Sequence, residues 1–214
     1  MAYFTTVLAH FFGILALILL LVWILHFRGE IDLDNNEASH IFNVHPFLMY
    51  FGFVFFAGEA IMAYKTFNVE HKVQKFAHMS LHVIAIVLGI VGIYAAFKYH
   101  HKQGITNMYS LHSWLGLATF ILYGLQWLFG FVNFWIRGTY DSTRRSYLPL
   151  HMTFGRILLF MAICTAETGL IQVSAMLGLQ IGTESRLVNF TGLAILLFGI
   201  AVELSVSYAL AIRL

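Results

Sequence analysis

The sequence predicts an all-α membrane protein of six transmembrane helices, the second to fifth forming a central four-helix bundle. Three observations carry that prediction. Of 214 residues, 60% are hydrophobic and 10% charged, and the mean hydropathy is +0.80; a soluble domain is nearer about 45–50% apolar and about 25% charged. Six apolar stretches each reach the roughly 20 residues that a helix needs to cross a hydrocarbon core of about 30 Å. The charged and turn-forming residues fall mostly between them. A sphere of this size cannot hide so much apolar surface, which excludes a water-soluble enzyme, and disorder needs the opposite composition. With a net charge of +2 and scattered Lys and Arg, the chain shows no nucleic-acid footprint. Its single cysteine, Cys164, excludes an intramolecular disulfide.

The first span is expected over approximately 4–27. Its leader, Met1–Thr6, has no Lys or Arg, its apolar run is too long for a signal-peptide core, and no small-residue cleavage site follows. It therefore reads as a retained helix. Arg28–Ser39 separates it from a second span at approximately 44–65, and Asn68–Lys75 leads to a third at approximately 74–97. Lys98–Asn107 precedes the fourth, at approximately 109–136, and Arg137–Ser146 the fifth, at approximately 150–177; the sixth covers approximately 187–212. The two prolines, Pro46 and Pro149, are expected near helix starts, where a missing N–H costs little. The spans use almost the whole chain, so residues 1–214 are expected to form one domain embedded in a lipid bilayer, with no sequence repeat.

Basic residues orient the bundle. The side carrying the N-terminus receives Lys65, Lys72, Lys75, Arg137, Arg144, Arg145 and Arg213; the opposite side receives Arg28, Lys98, Lys102 and Arg186. Glu30, Asp32, Asp34 and Glu37 also fall opposite. Both termini are therefore expected to be cytoplasmic.

Eleven histidines are many for such a chain, and ionisable groups inside a membrane suggest function. His10, His26, His40, His71, His100 and His101 lie at span edges or in loops, where solvated or interfacial roles suffice. His45, His78, His82, His112 and His151 lie inside or at the start of spans two to five. Antiparallel topology puts His45 and His112 at one depth in the outer half, and His78 or His82 level with His151 in the cytoplasmic half. Two imidazoles from facing helices can take both axial positions of a haem iron, which suits electron transfer and leaves no open coordination position. Zinc would want four ligands. Each histidine could instead bond a carbonyl of a neighbouring helix, but four at matched depths in two pairs argue against coincidence. Spacing alone leaves His78 and His82 both open, since they are one helical turn apart.

Several segments are more specific. Phe42, Asn43, His45, Pro46, Met49 and Gly52, followed by Gly58, Ala60 and Tyr64, form one pattern; Tyr109–Trp114 reads YSLHSW. Lys75 and His78 form K-x-x-H, while Leu148, Pro149, His151 and Gly155 form L-P-x-H-x-x-x-G. In these motifs the chain resembles the cytochrome b561 family over essentially its whole length, and is most similar to plant ascorbate-dependent members. The resemblance implies two non-covalent b-type haems, the outer held by His45 and His112 and the cytoplasmic one by His78 and His151, with His82 as a packing or hydrogen-bonding neighbour. It implies a transmembrane oxidoreductase that passes electrons from cytoplasmic ascorbate to an outer or lumenal acceptor, monodehydroascorbate or a ferric chelate. Family members occur in vacuolar, vesicle and plasma membranes, often as homodimers.

A basic mouth of Lys65, Lys72, Lys75, Arg144 and Arg145 would concentrate anionic ascorbate, although cytoplasmic loops are basic in most membrane proteins. On the outer side, Lys98–Tyr109 resembles the family's substrate loop, with His100 at the position that contacts ascorbate or a chelated ferric ion and His101 beside it. Two residues depart from the pattern: Lys65 stands where many relatives carry Arg, and Arg156 where the family is usually apolar. Arg156 is expected to pair with Glu59 or the inner haem. Glu167 and Glu203 are expected to make helix–helix hydrogen bonds in protonated form. The competing function is a small histidine-lined proton or metal-ion transporter without haem. It fits less well, because such proteins interrupt their spans at mid-membrane and these histidines lie in two layers.

Overall fold

A computed structural model describes residues 2–136 and 141–211, with side chains for 3–136 and 145–207; every regular element in it is helical. Six helices are long and apolar enough to cross a membrane: α1 (Tyr3–Arg28), α2 (Ala38–Thr66), α3 (His71–Gln103), α4 (Leu111–Ile136), α5 (Arg145–Met176) and α6 (Thr183–Ser207). Large apolar side chains such as Phe11, Ile18, Ile90, Leu125 and Phe190 face outward. A solvent as apolar as lipid tolerates that surface, and helices satisfy the backbone inside it.

The helices outrun the apolar stretches that announced them. α2 starts at Ala38, and α5 continues a helix that begins at Asp141. The bilayer dictates where the apolar residues must lie, whereas hydrogen bonding continues into polar sequence until a breaker intervenes. Both prolines therefore lie inside helices and not near their starts as expected. Pro46 offers no N–H to the preceding turn, and just beyond it the ladder widens to π spacing over Leu48–Phe55. The chain nevertheless stays helical through the membrane.

α1 packs along α6 outside the central bundle; α2 packs along α3, and α4 along α5, with few contacts between those two pairs. Trp23, Leu20, Ile24, Phe198, Ile195 and Val202 are fully buried among these helices. At the face opposite the N-terminus, Glu184 accepts from Trp23 Nε1 at 3.1 Å and lies 3.6 Å from Arg28. Towards the N-terminal face, Thr6 meets Ser205 at 2.6 Å and His10 Nδ1 meets Glu59 at 2.9 Å. The α1–α2 loop is tied to the end of α3 by Lys98, which donates to Asp34 at 2.6 Å. That hydrogen bond, reinforced by the ammonium charge, holds the Asp34 carboxyl below its ordinary pKa.

Candidate functional site

The loose seam between the α2–α3 and α4–α5 pairs opens into two cavities. One, of about 320 Å³, lies towards the N-terminal face; the other, of about 150 Å³, lies towards the opposite face. His78 and His151 line the first, and His45 and His112 the second. The His78 and His151 rings are 6.2 Å apart between centroids, the His45 and His112 rings 5.9 Å. Each pair therefore takes one ring from each half of the bundle.

Neighbouring helices orient these rings reciprocally. His45 of α2 donates from Nδ1 to the Gly92 carbonyl of α3 at 2.9 Å, and His78 of α3 donates to Ala60 of α2 at 2.7 Å. His112 of α4 donates to the Thr165 carbonyl of α5 at 2.9 Å. A protonated Nδ1 leaves the lone pair on Nε2, the tautomer that binds metals. His151 differs, because its partner is a side chain: the Gln126 amide nitrogen lies 3.0 Å from His151 Nδ1 and donates to the His151 carbonyl at 2.7 Å. One amide nitrogen thus bridges the ring and the main chain of His151. Glycines make room for two of the rings. A Cβ on Gly169 would stand 2.8 Å from His112 Cε1, and one on Gly130 2.8 Å from His151 Cε1.

His82, one turn from His78, stacks edge-on against it at 4.5 Å and hydrogen-bonds the buried Tyr123 hydroxyl. Both His78 and His82 line the cavity, but only His78 stands in ring contact with His151.

The expected substrate residues separate. Lys65 and Lys75 line the larger cavity. Lys75 hydrogen-bonds the Phe134 carbonyl and lies 5.3 Å from the Trp135 ring centre, a cation–π contact. Lys72 is exposed and does not line the cavity, and the Arg144 side chain falls outside the described residues. On the other face, His100 lines the smaller cavity and approaches Asn107 Oδ1 at 2.9 Å, whereas His101 is exposed outside it.

Arg156 does not pair with Glu59, although it lines the larger cavity. Its Nε donates to Glu203 at 2.9 Å, its Nη2 bonds the same carboxylate, and Nη2 also reaches Ser207 at 2.9 Å. Glu59 is engaged by His10 on the α1 side. Glu203 is thus half of an ion pair and not the protonated hydrogen-bonding group expected. Glu167 Oε1 is buried with no hydrogen-bond partner among the described residues, so the expected helix–helix bond is not formed through that atom.

Sequence reasoning passed over Gln126, Tyr123 and the glycines facing the rings. Gln126 carried a usable signal, as a polar residue within the apolar run Leu111–Gly130. His71, read as a solvated edge residue, in fact lines the larger cavity.

Fold and site define a class: a polytopic membrane bundle with two stacked cavities, each carrying a facing pair of histidines from opposite halves. Residues 44–177 match the family described as eukaryotic cytochrome b561. The chain is 48% identical, over 202 residues, to a rice protein named probable ascorbate-specific transmembrane electron transporter 2; the match covers 92% of this chain and 86% of that one. It is 40% identical over 206 residues to transmembrane ascorbate ferrireductase 1 of Arabidopsis thaliana, covering 94% and 86%. A mouse transmembrane ascorbate-dependent reductase is 40% identical over 185 residues, covering 84% and 73%. The chain belongs to the cytochrome b561 family, and haem b is the cofactor that membership implies.

Proposed function

We propose that the chain carries electrons across the membrane from ascorbate at the N-terminal, cytoplasmic face to monodehydroascorbate or a ferric chelate at the opposite face. His78 and His151 would hold one haem b, and His45 and His112 a second. The observation that carries this reading is the pair of facing rings in each cavity. An imidazole–metal bond is about 2.0–2.1 Å, which puts two imidazoles on opposite sides of one metal at roughly 6 Å between ring centres; both measured separations match. Two ligands are also the right number, since a macrocycle brings four nitrogens of its own. When bound, haem would supply reversible one-electron chemistry at these sites.

The chain's own residues do the rest. Backbone carbonyls and Gln126 fix the ring orientations, keeping rearrangement small when charge changes. Lys65 and Lys75 at the larger cavity and the exposed Lys72, together with Arg144, attract an anionic donor. His100 and His101 serve the acceptor side. The names of the rice and Arabidopsis relatives support ascorbate as donor, and the Arabidopsis name supports ferric iron as an acceptor. The excess of Lys and Arg supports a cytoplasmic N-terminal face, and the resemblance supports a homodimer.

An absorbance spectrum of the detergent-purified protein, air-oxidised and then treated with ascorbate, tests the reading together with haem quantification. Two haems per chain with low-spin bands that reduce on ascorbate are expected, and replacing His45 or His112 should remove one component while His78 or His151 removes the other. Colourless protein after haem-supplemented expression would overturn it and favour the transporter.

A further inference from the structure

We infer that His71 is the base that takes the proton from the donor anion at the mouth of the larger cavity, an assignment that rests on the ascorbate-oxidising function proposed above. His71 is the first residue of α3, exposed to water on one side and lining the cavity on the other. A single aromatic ring separates it from His78: Tyr64 lies 5.5 Å from the His71 ring and 5.4 Å from the His78 ring. Lys65 and Lys75 line the same cavity. An anion held by those ammonium groups therefore meets an imidazole at its water-facing edge and the path to His78 at its inner edge.

The chemistry requires such a group. An ascorbate monoanion that gives up one electron also gives up its remaining acidic enol proton, leaving the radical anion. The O–H bond breaks, the proton passes to a ring nitrogen of His71, and the electron enters the protein on the His78 side. The imidazolium then releases its proton to water at the exposed edge, which restores the base. The two lysines cannot take this role while charged, because an ammonium has no lone pair to accept with. Glu70 and Lys72, the chain neighbours of His71, do not line the cavity. Imidazole is the side chain whose ordinary titration falls between pH 5 and 8, so it can accept and release the proton within one turnover.

The test is stopped-flow reduction of the oxidised holoprotein carrying His71→Gln or His71→Ala, with ascorbate and separately with dithionite, which need not surrender a proton. The expected result is a maximal ascorbate rate lowered on the order of a hundredfold, the low end of what a positioned base supplies. Half-saturation by ascorbate, the dithionite rate and both haem midpoint potentials should stay unchanged. Free imidazole in the buffer should restore the ascorbate rate of His71→Ala. An unaltered ascorbate rate, equal slowing with both donors, a shifted midpoint potential or failure of imidazole to rescue would each overturn the assignment. If the wild-type protein is reduced by dithionite but not by ascorbate, the proposed donor itself is wrong, which separates the two failures.

Discussion

Gln126→Leu isolates the one orientation among the four paired histidines that depends on a side chain. His45, His78 and His112 donate to main-chain carbonyls that no substitution removes, whereas His151 relies on the Gln126 amide for its Nδ1 contact at 3.0 Å. The same amide holds the His151 carbonyl at 2.7 Å, so ring and backbone are fixed together. A neutral hydrogen bond contributes about 0.5–1.5 kcal/mol net, equivalent to about two- to tenfold in affinity. Partners of metal-ligating histidines are typically worth about 10–100-fold. The two ranges meet near tenfold, and that is the expected weakening of haem retention at the His78/His151 level, with the His45/His112 level unchanged. The assay is loss of haem to excess haem-scavenging apoprotein, followed by absorbance and resolved into two components by redox titration. Equal loss at both levels, or loss confined to the His45/His112 level, would refute the reasoning.

Other substitutions separate the remaining parts of the site. Arg156→Leu strands Glu203 within the bundle; breaking a buried pair costs about 3–5 kcal/mol, and side-chain exposures of 32% and 21% reduce the expected loss to about 2–3 kcal/mol. Reversible unfolding in detergent should show the double variant Arg156→Leu/Glu203→Leu recovering much of that loss, and simple additivity would count against a direct pair. Gly169→Ala drives a methyl into the His112 ring and Gly130→Ala into the His151 ring, so each should displace a different haem component in redox titration; identical effects would contradict the two-level arrangement. The Asp34 carboxyl is held down in the folded protein by Lys98, so the stability it contributes is present above the unfolded carboxylate pKa of about 3.9. That contribution is lost as pH falls through the lower folded value. Acid unfolding of Asp34→Asn should accordingly converge with wild type at low pH and differ only above it; a gap that persists at the acid end would exclude the linkage.

The levels of the histidines were legible in the sequence because a membrane imposes depth. An apolar run of known length fixes how far each residue lies from the surface, and antiparallel connectivity then puts His45 level with His112 and His78 or His82 level with His151, a choice that depth alone does not make. Rotation about the helix axis is not encoded in the same way. That is why Arg156 could be placed at the depth of Glu59 while its actual partner, Glu203, comes from a helix on another side of α5. The same lack of azimuth hid Gln126 and the distinction between Lys65 and Lys75, which line the cavity, and Lys72, which does not. Helix ends were obscured for a different reason: polar residues extend α2 and α5 beyond the hydrocarbon, carrying Pro46 and Pro149 into helix interiors.

The packing gives the proposed cofactors a mechanical role as well. α2 is locked to α3 by the exchange of His45 and His78 hydrogen bonds with each other's backbones, and α4 is linked to α5 through Thr165 and Gln126. Direct contacts between these two halves are few. Each histidine pair, by contrast, spans the halves: α2 to α4 on one level, α3 to α5 on the other. A ligand bound by both members of a pair therefore closes the seam where packing is weakest, and anything that binds only the folded state stabilises it by mass action. Two such clips at different depths resist both sliding and splaying of the halves, which one central clip would not. The geometry that would keep the two proposed redox centres at fixed positions would thus also account for so thin a direct interface between the two halves.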